Sequence, residues 1–228
     1  MSAFLKIGHR GAKGHVTENT LQSIQKAMDF NVDGIEIDVH VCKTGELVVF
    51  HDFTLDRLTN GTGEIGEKTL SQLQNLQVED QYTIPTLREV LQLIDNKLLI
   101  NIELKGEGTA IPTCNIIQEL VNDKKWSLEN ILVSSFQQNE LVDVFNYDSN
   151  IPLGVLTKAS VNQAIVFAKT INAKAIHPSF SLLSKNNVQK AKEEGLLVNA
   201  WTVNTKQAIK RIKSYQVDAI ISDFPDRL

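Results

Sequence analysis

Short apolar runs alternate along the chain with segments whose apolar residues recur every three to four positions, the mark of strands alternating with amphipathic helices. The runs predict strands at 4–8, 34–39, 98–104, 131–135, 152–156, 173–177, 196–202 and 218–222. Helical spacing falls between them, at 18–30, 109–123, 139–146, 161–170, 184–194 and 206–214. Ser184 stands as a cap ahead of Val188 and Ala191, and Gly195 closes that helix just before the next strand. Eight strands, nearly all followed by helices, predict an α/β fold of the (β/α)₈ TIM-barrel type. An open doubly wound sheet would usually carry a glycine-rich phosphate loop after its first strand. The stretch Gly8-His9-Arg10-Gly11 lacks that spacing.

One stretch breaks the alternation. Residues 53–96 begin polar and rich in glycine and then give two short helical patterns, 70–76 and 87–94. They are expected to form a small insertion above the barrel mouth, followed by the helix that leads to the strand at 98. The expectation is otherwise a single barrel domain over residues 1–228.

The polar positions within the strands carry the chemistry. In "IEIDV", Ile35, Ile37 and Val39 share one face, and Glu36 and Asp38 share the other. Helices cover the outside of a barrel, so the apolar face turns outward and the two acids turn in, near the carboxyl end where barrel active sites lie. The same parity in "LLINIELKG" sends Asn101, Glu103 and Lys105 inward. Three inward carboxylates cannot all stay ionised without compensation. A divalent cation would supply it, and all-oxygen ligands select Mg²⁺ or Ca²⁺. The alternative is a plain ion network in which Lys105 or Arg10 neutralises the acids, and the spacing favours the cation.

Thr44-Gly45 lies between alternating segments and predicts a hairpin after Asp38. With Lys43 to Glu46 as the turn, Cys42 faces Leu47 and His51 falls opposite Asp38. The first strand delivers His9 and Arg10 at its end. Arg10 brings a planar fork suited to phosphate, and Lys105 adds a point charge. Two imidazoles, two cations and a metal fit phosphoryl chemistry, in which one histidine takes a proton and the other gives one.

Other residues have simpler expectations. Thr17 is expected to cap a helix carrying Glu18 in its first turn, with a supporting role at the site as the lesser reading of Glu18. His15 and His40 read as solvated loop residues, and Asp52 as holding the hairpin end. His177 ends a strand and points either into the cleft or into packing. Trp201 shares a strand face with Asn199 and Val203, which core packing alone would explain, and Phe136 follows Ser135 at a strand end.

Composition narrows the partners. A net charge of −4 with no block of like charge argues against a nucleic-acid surface. Hydrophobic residues make up 42% of the chain, enough for a sizeable core, yet no run approaches membrane-spanning length. Cys42 and Cys114 lie far apart without metal spacing and read as buried free thiols in a reducing compartment. The opening MSAFLKIGHRG reads as a first strand without a signal peptide, so the expected location is cytoplasmic, without stable membrane association. The sequence leaves the oligomeric state open.

The pieces "GHRG", "ENT", "GIEIDV", "LVVFHD", "LDRLTNGTG", "NIELK", "SSF", "AWTVN" and "DAIISDFP" occur in that order over nearly the whole chain. In this the sequence resembles the glycerophosphodiester phosphodiesterase family. The resemblance implies the barrel and metal-dependent hydrolysis of glycerophosphodiesters to an alcohol and glycerol 3-phosphate. It implies Glu36, Asp38 and Glu103 as metal ligands, His9 and His51 as the acid–base pair, and Arg10 and Lys105 as phosphate binders. Trp201 would line the substrate cleft. Val16 stands where the family often has proline, and the chain stops at Leu228 with little or no final helix after the last strand. Two rivals stand beside this reading: phospholipase D-like action on lysophospholipids, and a catalytically silent barrel that binds phosphate ligands.

Overall fold

Pairing of the first strand with both the second and the last closes the sheet on itself. The computed structural model describes residues 4–79 and 81–228. Its parallel strands are β1 (Leu5–His9), β2 (Gly34–Val41), β4 (Leu99–Leu104), β5 (Ile131–Ser135), β6 (Leu153–Thr157), β7 (Ala175–Pro178), β8 (Leu197–Ala200) and β9 (Ala219–Ser222). In space they run β1-β9-β8-β7-β6-β5-β4-β2, and β1 also pairs with β2. The predicted (β/α)₈ barrel is borne out. A short strand β3 (Leu47–Val49) runs antiparallel outside β2.

Parity sorts the side chains as expected. Ile35, Ile37, Val39, Ile100, Ile102 and Leu104 join the main core between strands and helices. Glu36, Asp38, Asn101 and Glu103 lie buried on the other face. Register then places the acids side by side, with His9 beside Glu36, Glu36 beside Asn101, and Asp38 beside Glu103.

The helices are α1 (Leu21–Asp29), α2 (Leu70–Gln74), α3 (Leu87–Ile94), α4 (Ala110–Asn122), α5 (Gln138–Tyr147), α6 (Val161–Thr170), α7 (Lys185–Glu193) and α8 (Lys206–Lys213), of which α2 belongs to the segment after β3 and the others cover the barrel. Ser184 caps α7 by accepting from the Asn187 N–H, and Gly195 follows it at φ 78°. At α1 the expectation fails. Thr20, not Thr17, accepts from the Ser23 N–H, so the helix starts at Leu21 and Glu18 lies before it. Both threonines are competent caps by type, and Glu18 is taken up instead by Arg10, Lys13 and Arg57.

The hairpin register also differs from the expected one. Val41 pairs with Leu47 and Val39 with Val49, and the Phe50 N–H donates to the Asp38 carbonyl at 3.0 Å. Asp38 thus faces Phe50 rather than His51, and Cys42 faces Glu46. The cause is the loop, which holds three residues rather than four. The Gly45 N–H donates to the Cys42 carbonyl at 2.9 Å, and Gly45 takes φ 96°, a left-handed position that suits glycine.

Beyond β3 the chain builds a small core of its own from Val48, Phe50, Leu55, Ile65, Leu73, Val78 and Ile84, with Cys42 against it. α3 belongs instead to the main core, through Leu87, Val90, Leu91 and Ile94. Cys42 and Cys114 are both free and buried. After β9 the chain makes a 3₁₀ turn, Pro225–Arg227.

His177 settles on the packing side. It is fully buried on the inward face of β7, where its Nε2 accepts from Asn199 Nδ2 at 2.9 Å and its Nδ1 has no partner. Burial alone pushes its pKa down to about 3. An unfolded histidine takes its proton near 6.5 and the folded one refuses it until about 3, so stability is full above 6.5 and falls as pH drops through that window. Denaturant midpoints at pH 7.5 and 5 are therefore expected to differ less in His177→Gln than in the wild type. Equal differences would place the acid sensitivity elsewhere.

Candidate active site

At the carboxyl ends of the strands a cleft of ≈ 380 Å³ is lined by His9, Arg10, Glu36, His51, Asn101, Glu103, Lys105, Phe136, Leu156, Lys158, Trp201 and Ile221. Of the site residues expected from sequence (His9, His51, Arg10, Lys105, Trp201, Glu36, Asp38 and Glu103), all but Asp38 line it. Asp38 lies just beneath, 1% exposed.

The two histidines have matching surroundings. His9 Nδ1 lies 2.5 Å from Asp223 Oδ1, and Asp223 Oδ2 accepts from Asn204 Nδ2 at 2.7 Å. His51 Nδ1 lies 2.6 Å from Asp52 Oδ1, and Asp52 is held in turn by Arg57. With Nδ1–H donating to a carboxylate, each neutral ring keeps an Nε2 lone pair. His9 Nε2 lies 3.9 Å from Glu36 Oε2, and His51 Nε2 lies 3.2 Å from Lys105 Nζ. Burial lowers both histidine pKa values, partly offset by neighbouring carboxylates.

His51 reaches this position even though the register slipped. β3 ends at Val49 and the chain bends at His51, so strand alternation no longer sets the direction of the ring. His40 also departs from expectation. β2 extends to Val41, so His40 is buried in the strand, and its Nε2 bonds the His51 carbonyl at 3.2 Å. His15 is exposed as expected, but pairs with Asp226 at 2.6 Å.

Arg10 sits at φ 52°, where its N–H donates to Glu36 Oε2 at 3.0 Å. Its Nη1 donates to Glu18 Oε1 at 2.7 Å, and its Nε lies 3.1 Å from Asp38 Oδ2 without hydrogen-bond alignment. Glu18 also takes Arg57 at 2.8 Å and Lys13 at 3.1 Å. These cations hold its carboxyl below the usual range despite its burial. It is a member of the site's charge network, not a first-turn acid.

The buried carboxylates present the clearest chemical demand. Oxygens of Glu36, Asp38 and Glu103 lie within 4.8 Å of one another. Burial first, then the charges of Asp38 and Glu103, push Glu36 well above its ordinary pKa. Glu103 is pushed up to about 7 by burial and by Asp38, against the pull of Lys105. Lys105 Nζ lies 3.0 Å from Glu103 Oε1, but off the hydrogen-bond direction, so that oxygen counts as an ion-pair partner only. Asp38 Oδ1 and Asn101 Oδ1 are likewise buried without a hydrogen bond. Orphaned, mutually repelling oxygens on two neighbouring strands, β2 and β4, fit a hard divalent cation.

Residues 9–227 match the Glycerophosphoryl diester phosphodiesterase family. The chain belongs to that family. It is 34% identical over 234 residues to a glycerophosphodiester phosphodiesterase of Caldanaerobacter subterraneus, covering 98% of this chain and 96% of that one. A Bacillus altitudinis glycerophosphodiester phosphodiesterase is 35% identical over 233 residues, covering 96% and 94%. Among solved structures, an Oleispira antarctica phosphodiesterase in complex with the product sn-glycerol-3-phosphate superimposes with a TM-score of 0.89 at 30% identity, covering 97% and 93%. The chain is accordingly an enzyme, a phosphodiesterase of the glycerophosphodiester class.

Sequence reasoning missed Asp223, Asn204, Asn19 and Arg57. Asp223 continues the inward parity of Ala219 and Ile221 one step beyond the strand, so the same count could have found it. Asn19 donates to Asp38 Oδ2 at 2.9 Å from φ 59°, a local conformation without a sequence period to announce it.

Proposed function

We propose that residues 1–228 act as one catalytic unit that hydrolyses water-soluble glycerophosphodiesters to an alcohol and sn-glycerol 3-phosphate, with His9 and His51 as the acid–base pair. The observation that carries this reading is the cleft itself, where two carboxylate-oriented imidazoles flank three buried acids, two with orphaned oxygens. Glu36, Asp38 and Glu103 would hold Mg²⁺ or Ca²⁺, which when bound neutralises charge on the phosphate oxygens. Arg10 and Lys105 bind and orient the phosphate, at the edges of the acid cluster. One imidazole accepts at Nε2 the proton of the attacking oxygen as that oxygen bonds to phosphorus; the attacker is water, or a neighbouring glycerol hydroxyl whose cyclic phosphate water then opens. The phosphorus–oxygen bond to the alcohol breaks, and the other imidazolium returns a proton to the leaving oxygen. Trp201 closes the cleft wall over the substrate. The free buried thiols suit a cytoplasmic setting.

Chelation tests the reading. After dialysis against EDTA, hydrolysis of a glycerophosphodiester is expected to vanish, and Mg²⁺ or Ca²⁺ to restore it. Full activity in excess EDTA would leave only the ion network of Lys105 and Arg10.

The substrate is expected to be a soluble diester rather than a lysophospholipid. No helix among the described residues is long and apolar enough to cross a membrane. Of the large exposed hydrophobic side chains among the described residues, Phe136 alone lines the cleft. Phe136, Trp201, Leu156 and Ile221 make a patch sized for a glycerol backbone or a small headgroup, less than an acyl chain needs. A soluble diester should therefore show the higher kcat/KM when compared with the lysophospholipid of the same headgroup. Faster release from the lipid, with sedimentation on liposomes, would reverse the assignment.

A further inference from the structure

One wall of the cleft has a charge that the proposed chemistry does not use. Phe136 and Trp201 meet edge to face, with centroids 5.5 Å apart and planes at 82°. Lys158 Nζ lies over the Phe136 ring, 5.7 Å from its centroid. Lys158 is exposed and follows β6, in a turn held by Thr157 Oγ1, which accepts the N–H groups of Ala159 and Ser160 at 3.2 Å each. The other cleft cations are committed, Arg10 to Glu18 and Lys105 to Glu103. Among the described residues, no carboxylate pairs with Lys158. The Trp201 N–H is also spent, donating to the His177 carbonyl at 2.7 Å. Leu156 and Ile221 add only apolar surface.

An aromatic pair in a phosphodiester cleft would be a natural seat for a quaternary ammonium headgroup. Here the chain's own ammonium already occupies the face of Phe136. A second cation beside it would meet repulsion with no acid on that wall to offset it. A hydroxyl or an anionic group would instead find three N–H donors and a ring to lie against. We infer that Lys158 is a specificity-determining residue that selects glycerophosphodiesters with hydroxylated or anionic alcohols over those with cationic headgroups. This rests on the proposed hydrolytic function and names the substrate class for it.

The test compares glycerophosphoglycerol with glycerophosphocholine in the wild type, K158M and K158E, by kcat/KM and, in parallel, by equilibrium binding. The wild type is expected to favour glycerophosphoglycerol. K158E should shift the ratio toward glycerophosphocholine by about three- to tenfold, as expected for one exposed charge reversed at close range. K158M should fall between them, and the shift should shrink in 1 M salt, where the screening length is about 3 Å. A ratio that stays the same in all three proteins overturns the inference. So does an equal loss toward both substrates, which would put Lys158 against the glycerol half they share. A wild type that hydrolyses neither diester counts against the proposed function, and the binding ratio still decides the role of Lys158.

Discussion

His9→Ala and His51→Ala each lower turnover by about 10²–10⁴-fold, the range of a general acid–base group. The double variant loses much less than the product of the two losses, because the pair works as one unit. The expectation follows from their matching geometry, an aspartate on each Nδ1 and an Nε2 lone pair beyond it. One ring must start unprotonated and the other protonated, so the wild-type rate follows a bell-shaped curve in pH, and each single variant loses one limb. Steady-state kinetics from pH 5 to 9 on the metal-loaded protein provide the measurement. Near-native turnover by His51→Ala would remove it from the chemistry and leave Lys105, its neighbour at 3.2 Å, as the group to examine.

Asp223 and Asp52 explain why neither histidine is free to choose its tautomer. Asp52 is fixed from the insertion, since Arg57 Nε donates to its Oδ2 at 2.5 Å and Arg57 Nη2 donates to Glu18 Oε1 at 2.8 Å. One guanidinium therefore braces both the carboxylate behind His51 and the carboxylate behind Arg10. The segment after β3 thus contributes to the site through an arginine as well as through its own small core.

Period-two alternation made most of the site legible in the sequence. Once a barrel was inferred, Glu36, Asp38, Asn101 and Glu103 had to face inward, because helices cover the other side of those strands. The same rule reaches Asp223, one position past the end of β9 at Ser222. It failed where chain geometry is set by loops. A three-residue turn shifted the hairpin by one, so Asp38 faces Phe50. His51 nevertheless enters the cleft, because a bend past the strand end aims it. Thr17 and Thr20 are equally good caps by sequence, and the place of Glu18 is marked by ion pairs to Arg10, Lys13 and Arg57 that span up to 39 positions. Such pairs carry no periodic signal.

Glu36→Gln is expected to move activity and stability in opposite directions. Glu36 is 3% exposed, and burial together with Asp38 and Glu103 holds its pKa well above the ordinary carboxylate value. The unfolded side chain releases its proton near 4.5. Stability contributed by this group is therefore highest below that pH and is lost as pH rises through the folded value. Without metal the penalty is therefore larger at pH 8 than at pH 4.5. Glutamine has the same shape, and its carbonyl can still accept the Arg10 N–H now held at 3.0 Å, but it carries no charge into the cluster. Metal-free Glu36→Gln should melt above metal-free wild type at pH 8, by about 2–4 °C per kcal/mol relieved in a chain of this size. The gap should close toward pH 4.5. Turnover should fall by more than the roughly 10–100-fold that loss of a residue supporting a metal ligand costs. Adding Mg²⁺ or Ca²⁺ should raise the wild-type melting temperature by mass action and leave that of the variant nearly unmoved. A variant that melts below the wild type at pH 8, or that keeps the metal-induced rise, would remove Glu36 from the cation site and leave Asp38 and Glu103 without their third ligand.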